Sequence, residues 1–548
     1  MKKIKFGIMI NSYRLEEWQY LIIQELLSHN VQLELCIIHD NKEQNEIPKK
    51  FQKLNTLKRF LSKNGLFFIY LRYFQKVSLV KKIDISNLKI NELKVRTLNK
   101  GKYSQYFQKE DINKINQYNL DFILRFGFNI IRGEILNTPK YGIWSFHHDD
   151  ESKYRGSPPS FWEVYYNEPV TGAILQRLTD TLDGGIILKR GEIKTTVSYA
   201  KNINNNLKQT ISWPLKLCID IKNGNIDKFF KEPSKTKAKI YFAPTNSEFV
   251  NFIFKTLCRG IYNKIARFLE KKFSDDIWKI GYVDNFNIDN FFQNKKIKKV
   301  TWLNDFNKND FRADPFCLEY NNSLDILYEG YDYKISKGNL NVMSIDYKTN
   351  QIFVKKLLTE QYHLSFPFLF EFNSKHYCIP ESYQLNCIQL FEYDIKEKSL
   401  IKICNIVENV KAVDTVIFFH DGLWWMFYAL EGENVNEYLY LRYTDNIFSE
   451  WKEHPMNPVK QSPKSSRMAG KVFTYKDNLY RPAQNCSLTY GGGISICKIE
   501  ILTTIDYEES LVLELDVKDI SNVKNNNIKG IHTFNVCNDK LVIDAKTY

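Results

Sequence analysis

The stretch Tyr141–Ile187, YGIWSFHHDDESKYRGSPPSFWEVYYNEPVTGAILQRLTDTLDGGII, decides how the first half of this chain is read. It gathers a histidine pair at the end of an apolar run, a Tyr154-Arg155-Gly156 turn and an acidic turn, Leu182-Asp183-Gly184-Gly185. His147 and Asp183 lie 36 residues apart. A strand end and a later loop can bring such a pair together on an open α/β sheet, where chemistry sits at the carboxyl ends of the strands. An imidazole works as base or donor near neutral pH. A carboxylate beside it accepts its hydrogen bond, fixes its tautomer and raises its pKa.

Working outward, Lys3 to Ile10 reads as a buried strand, Leu15 to Ser28 as a helix and Gln32 to His39 as a second strand. This β-α-β opening predicts a parallel sheet with a right-handed crossover. The turn Ile10-Asn11-Ser12-Tyr13 lacks the glycine fingerprint of a dinucleotide site, which argues against that cofactor. Residues 41–115 are polar and basic, with helices expected around Leu57 to Tyr73. Leu120 to Phe126 and Ile143 to Phe146 read as further strands, with a short helix at Arg132 to Asn137 between them. Ala173 to Leu178 and Gly185 to Lys189 read as paired strands, and Tyr199 to Asn223 as one helix.

These residues resemble the formyltransferase family, which includes methionyl-tRNA and sugar-nucleotide N-formyltransferases. His147, Arg155-Gly156, Pro159, Thr171-Gly172 and Asp183 match the family pattern without a gap. Ser145 stands where the family has asparagine, and charged residues from Asp149 to Lys153 replace its Leu-Leu-Pro segment. The resemblance implies a Rossmann-like α/β domain that takes N10-formyltetrahydrofolate, with the pterin beside Phe126, Gly127, Phe128 and Ile130 and with Asp180 also at the folate. It implies His147 as the base or oxyanion donor, Asp183 as its partner and Ser145 in the asparagine's place. His148, Tyr154 and Arg155 are expected to face the amine substrate, with His148 able to supply a missing donor if its ring turns inward. Loss of one oxyanion donor costs ~2.7–4 kcal/mol of transition-state stabilisation.

The remaining chain differs in pattern. Ser247 to Phe273 is a basic amphipathic helix, with Val250, Phe254, Leu257, Ile261, Ile265 and Phe268 at helical spacing. We read it as a connector in preference to peripheral membrane contact through residues 247–273. Beyond Ile277, short aromatic-rich strands recur. Asp314, Ser365 and Asp414 head successive units spaced by 51 and 49 residues, followed by units at Arg467 and His532. A period near 50 predicts five propeller blades. This half resembles the propeller of plant glucosamine inositolphosphorylceramide transferases and, more distantly, five-bladed glycoside hydrolases, through Ala313-Asp314-Pro315-Phe316 and Tyr480-Arg481-Pro482-Ala483-Gln484. Asp314, Glu381, Asp414, Arg481 and His532 are expected to converge on the central channel, binding sugar hydroxyls in preference to hydrolysing glycosides. Trp424, Trp425 and Tyr490 are read mainly as core.

The expected organisation is a formyltransferase-like domain over 1–230, a helical connector over 231–290 and an all-β five-bladed propeller over 291–548. The chain has 77 Lys and Arg against 63 Asp and Glu, a net charge of +14. That suits phosphorylated or otherwise anionic partners, while no Arg-rich helix or zinc finger points to nucleic acid. Its ten cysteines form no Cys-x-x-Cys pair, so no metal site is expected and a reducing cytoplasm suits it. The N-terminus reads as a strand, not a signal peptide, and no apolar run is long enough to span a membrane. The two resemblances imply an enzyme of bacterial surface-glycan assembly, cytoplasmic or at the inner face of the membrane. It would transfer a formyl group from N10-formyltetrahydrofolate to the amine of a nucleotide- or lipid-linked amino sugar. A glycosyltransferase or other sugar-modifying enzyme reusing the fold, and a non-catalytic glycan-binding protein, remain the alternatives.

Overall fold

The computed structural model describes residues 3–40, 62–101, 103–181, 184–273, 277–303, 310–349, 351–521 and 528–547. The chain divides into two compact units, 1–266 and 267–548.

The N-terminal unit is built on one seven-stranded sheet. Its strands are β1 (Lys5–Ile10), β2 (Gln32–His39), β3 (Asn91–Val95), β4 (Phe122–Arg125), β5 (Ile143–His147), β6 (Val170–Arg177) and β7 (Ile186–Lys194). Their order is β3-β2-β1-β4-β5-β6-β7; β1 to β5 run parallel and the last two pairings are antiparallel. The order reverses between β1 and β4, which opens a crevice at their carboxyl ends. Alternation along β1 sends Phe6, Ile8 and Ile10 to one core and Met9 to another. The helix Glu17–Ser28 packs on the first face through Trp18, Ile22, Ile23 and Leu26. Glu16 and Gln19 close a capping box at its start.

The predicted helix Tyr199 to Asn223 is two helices, Tyr199–Thr210 and Trp213–Asn223. Pro214 sits in the first turn of the second, where its missing N–H costs nothing, whereas in a continuous helix it would clash with the preceding turn. The segment expected as a helix at Arg132 to Asn137 is the strand Ile130–Arg132 followed by a 3-10 turn, Glu134–Asn137. A helix does stand at Gly65–Tyr73, while the Leu57 part of that expectation lies outside the described residues.

The C-terminal unit carries five antiparallel sheets that follow one another as propeller blades. Four lie between Asp310 and Leu358, Ser365 and Glu408, Ala412 and Glu453, and Phe473 and Leu515. The fifth joins both ends of the unit. Ile277–Val283 and Thr301–Trp302 pair beside Lys540–Thr547 and Phe534–Cys537, with Ile277 opposite Thr547. Ile277–Val283 therefore belongs to the fifth blade, although its residues fall inside the 231–290 segment read as connector.

The inner strands of the first three blades share one irregularity. The register shifts between Ala313 and Phe316, between Ser365 and Phe368, and between Val413 and Val416. Asp314, Phe366 and Asp414, the second residue of each bulge, have positive φ of 53°, 42° and 50°. A bulge re-aims the residue it carries, and here it does so at equivalent points of successive blades.

Candidate functional site

At the crevice of the N-terminal sheet three strand ends meet. The segment after β4 approaches the end of β1 so closely that a Cβ on Gly127 would lie 2.7 Å from the Asn11 nitrogen. Phe128 has φ 65° and donates its N–H to Asn11 Oδ1 at 2.8 Å. Its ring lies between Phe107 and His39, with centroids 5.5 Å and 4.8 Å away. The neighbouring amides are also engaged within the protein: Phe126 donates to Met9 O, Asn129 to Gln105 Oε1 and Ile130 to Tyr103 O. Asp180 accepts from the Gly133 N–H at 2.8 Å.

Arg125 closes this end of the sheet. Its Nε and Nη2 donate to Ser145 Oγ at 3.1 and 2.9 Å, and its Nη1 to the carbonyls of Phe128 and Asn129. Burial lowers the guanidinium's pKa, yet an arginine stays charged in any protein setting. Ser145 and His147 are two residues apart on β5 and so share a face of the sheet. A buried cation is thereby held on the face that carries the histidine. Gln176, opposite Ser145 in the register, lines a cleft there with Arg125, Ile130, Ile131, Leu178 and Thr181.

His147 Nε2 lies 3.0 Å from Tyr154 O and 3.7 Å from Asp149 Oδ2. A carbonyl only accepts, so in the neutral ring Nε2 carries the proton and Nδ1 the lone pair. Asp149 is buried, and burial together with Glu163 drives its pKa well above the carboxylate range. Burial raises Glu163 to about 7. Asp149 accepts the Ser160 N–H at 2.7 Å, and Glu163 accepts the Asp150 N–H at 3.1 Å. The charged segment that replaces Leu-Leu-Pro is therefore folded inward: Glu151 pairs with Arg190, and Lys153 with Glu168 at 2.6 Å.

The second collection of polar groups lies in the propeller. Asp544 accepts backbone N–H groups from Asp314, His532 and Thr533 at 2.9, 3.1 and 3.0 Å. Its Oδ2 lies 2.7 Å from His532 Nδ1, and His532 Nε2 lies 3.3 Å from Asp314 Oδ1. Burial alone would lower the imidazole's pKa, but the Asp544 and Asp314 carboxylates raise it. Burial pushes Asp314 well above the carboxylate range, while His532 helps hold Asp544 below it. Asp314, His532 and Asp544 could in principle ligate a cation, their donor atoms lying within 4.8 Å of one another. Three backbone N–H donors, with the imidazole 2.7 Å away, already engage Asp544 within the protein.

Beside this triad, Asp414 accepts from Arg467 Nε and, at 3.0 Å, from Gln484 Nε2. Its N–H donates to Glu381 Oε2 at 3.1 Å. Burial and the Asp414 charge raise Glu381 to about 8, and burial with the Glu381 charge pushes Glu329 well above the carboxylate range. Arg467 also lies 5.0 Å from the Tyr490 ring, which is 39% exposed. Trp278 stacks on His532 at 3.9 Å. Trp424 and Trp425 are buried in the blade core.

Four of the residues expected at the channel, Asp314, Glu381, Asp414 and His532, therefore join one network. Arg481 does not. It is fully buried and forks onto Glu509 at 2.9 and 2.7 Å, holding that carboxyl at about 2 against its burial. Arg481 and Gln484 are three residues apart on one strand and so face opposite ways; Gln484 and Arg467 take the channel positions. In the N-terminal unit His148 is also a correction. It packs against Trp18 and Phe146, with Nε2 3.2 Å from Thr210 Oγ1, and burial lowers its pKa to about 3. It stands on the face opposite His147 and supplies no donor there. Tyr154 turns its hydroxyl to Glu168 and offers His147 its carbonyl; Arg155 Nη1 donates to Thr236 O. Phe126, Phe128 and Ile130 stand at the crevice with their amides donating within the protein. Asp183 lies outside the described residues.

Sequence reasoning missed Arg125, Asp149, Glu163, Glu329, Arg467, Gln484 and Asp544. The one available signal was an arginine inside the apolar run LDFILRF, since an ionised group in a buried strand end needs a partner.

Comparison with known proteins divides the chain as its fold does. Residues 298–543 match the family model of glucosamine inositolphosphorylceramide transferase 1, N-terminal. That is the propeller half. The rice enzyme of this name (Oryza sativa subsp. indica) is 32% identical over 213 residues, 36% of this chain and 28% of that protein. The methionyl-tRNA formyltransferase of Prochlorococcus marinus is 25% identical over 230 residues, 40% of this chain and 61% of that enzyme; this weaker similarity is N-terminal. The chain thus spans less than a third of the rice relative's length. Among solved structures, the family 117 glycoside hydrolase Zg3597 of Zobellia galactanivorans covers 50% of this chain and 91% of its own, at 11% identity and a TM-score of 0.33.

Proposed function

We propose that this protein is a transferase that formylates the amine of an amino sugar on a nucleotide- or lipid-linked glycan, with the propeller holding the sugar chain. The observation that carries the reading is the Arg125 fork on Ser145, set on the same sheet face as His147. The family asparagine donates from the strand position that Ser145 occupies; here the donor comes from the neighbouring strand instead. A guanidinium is a stronger donor than an amide toward a developing oxyanion.

The cleft suits a flat heteroaromatic ring. Ile130, Ile131 and Leu178 offer apolar walls, and Gln176, Thr179 and Thr181 offer polar side chains along its edge. N10-formyltetrahydrofolate, when bound, supplies an activated formyl carbon. With that donor bound, Arg125 would donate to the formyl oxygen. His147 Nδ1 would take the proton of the attacking amine and return it to the leaving N10 nitrogen, so that one N–C bond forms as the C–N10 bond breaks, while Tyr154 O keeps Nε2 protonated. In the propeller, Asp414 and Glu381 accept or donate at sugar hydroxyls, and Tyr490 offers an exposed ring face. The relatives named for glucosamine and inositolphosphorylceramide support a lipid-linked amino sugar as the substrate class.

The test is incubation of the purified chain with N10-formyltetrahydrofolate and a panel of nucleotide- and lipid-linked amino sugars, with product identified by mass. Formylated product that disappears in His147→Ala and Asp183→Asn, both still folded, supports the reading. Normal turnover in either variant removes the site assignment. No binding of 5-formyltetrahydrofolate by calorimetry removes formyl transfer itself.

A further inference from the structure

The helix Asn246–Phe273 is held to its own unit by one face only. Phe249 and Phe252 are buried in the core, Arg259 donates to the carbonyls of Val164 and Tyr165, and Lys255 sits 4.2 Å over the Tyr165 ring. The other face is apolar and bare: Val250, Phe254, Leu257, Ile261 and Ile265 are 52–66% exposed. The second helix of this surface, Gly65–Tyr73, is clamped alongside. Asn64 Nδ2 donates to the carbonyls of Ala243 and Pro244, and the Leu66 N–H to Asn246 Oδ1. It adds Leu66, Tyr73 and Phe74, which are 41%, 63% and 69% exposed. The groove between the two helices is lined by apolar and aromatic side chains, among them Ile69, Tyr70 and Ile253.

The charge along the exposed stretches of these two helices is basic, with Glu248 and Glu270 near the ends of the longer one. Residues 62–83 carry five Lys and Arg and no Asp or Glu; residues 249–269 carry four and none. Lys63, Arg72, Lys76 and Lys264 are exposed beside the apolar stripe. A continuous apolar face of this kind marks an interaction site. A second copy of the chain would bring two such basic rims together, and like charges facing each other oppose association. Anionic lipid headgroups meet the rim with opposite charge while the acyl boundary takes the apolar side chains. No described helix is long and apolar enough to cross a membrane.

We infer that the helices Gly65–Tyr73 and Asn246–Phe273 form a peripheral docking face for an anionic phospholipid membrane. The inference is independent of the formyl-transfer reading, since it uses none of the crevice residues. It is tested by flotation of the full chain with vesicles of phosphatidylcholine alone and of phosphatidylcholine mixed with phosphatidylglycerol. Binding to the mixed vesicles should exceed binding to the neutral ones by at least about tenfold and fall as salt is raised. The triple variant Phe254→Ser, Leu257→Ser, Ile261→Ser changes only exposed side chains, and its thermal unfolding should match the parent while vesicle binding is lost. Equal binding to both vesicle types, or undiminished binding by the variant, would overturn the inference. So would a concentration-dependent dimer in sedimentation that the same variant abolishes without any vesicle binding, which would assign the face to a second copy.

Discussion

The crevice of the N-terminal sheet and the channel of the propeller both collect polar groups at strand ends, but they do so by opposite means. The crevice is a single-copy arrangement. One reversal of strand order sets the ends of β1, β4 and β5 side by side. The channel is a repeated arrangement, in which the same bulge aims the residue at its second position in three successive blades. Repetition makes the position predictable and leaves its chemistry open: Asp314 and Asp414 carry carboxylates where the blade between them carries Phe366. The single-copy site has no such redundancy. In the proposed reading, with serine at the asparagine position, Arg125, which donates to Ser145 Oγ from the neighbouring strand, takes over the donor's role. The electrostatics diverge accordingly. The crevice holds a buried cation, whereas the channel holds more acids than cations and keeps Glu381 protonated near neutral pH.

Three experiments test how separate the two regions are. The largest effect is expected from Arg481→Met, which leaves the buried Glu509 with only Lys460 and the Tyr507 hydroxyl and should cost the propeller up to about 3–5 kcal/mol. Denaturant unfolding followed by propeller tryptophan fluorescence should shift, while 5-formyltetrahydrofolate binding at the N-terminal unit stays. An equal loss at both would show that the two regions are not energetically distinct.

Next comes Arg125→Gln, which removes the fork at Ser145. Steady-state formylation should lose about 10²–10³ in kcat, with a smaller change in KM for the amino sugar. Adding Ser145→Asn to that variant should recover part of the loss, because the amide donor then returns to β5. No recovery would argue that the guanidinium does something at the crevice that an amide there cannot.

The smallest effect is the pH response of Glu381. Its folded pKa, about 8, stands above the ordinary 4.5, so the folded state keeps a proton the unfolded chain releases. Stability from this group is therefore present in full below pH 4.5 and declines as pH rises toward 8. Glu381→Gln imitates the protonated acid and should flatten that decline. Its Tm above pH 8 should exceed the parent's. A parallel pH profile in parent and variant would place the propeller's titration elsewhere, with Glu329 or Asp314 the next groups to examine.

Much of the fold was legible in the sequence. Buried runs such as KFGIMI and QLELCIIH announce parallel strands, and the period near 50 announces blades. The two departures in the N-terminal helices have local causes, Pro214 in one case and the tight turn at Glu134–Asn137 in the other. The site was legible less evenly. His147, Asp314, Glu381, Asp414 and His532 could be singled out because each is polar at the end of an apolar strand. Arg481 was singled out for the same reason and turned out to neutralise Glu509 inside its own blade. His148 was a face error: one residue further along the strand end, the side chain enters the core against Trp18.

The amino-acid order alone therefore set the strand and helix periods and the blade repeat, because these depend on neighbours a few residues away. The pairings that carry chemistry were decided only when the chain closed. Arg125 reaches Ser145, Arg467 and Gln484 reach Asp414, and Asp544 reaches His532 across strand order and blade order that no local pattern records. A one-residue change of phase along a strand moves a side chain to the other face, so contact across strands depends on bulges and register that only the folded sheet fixes.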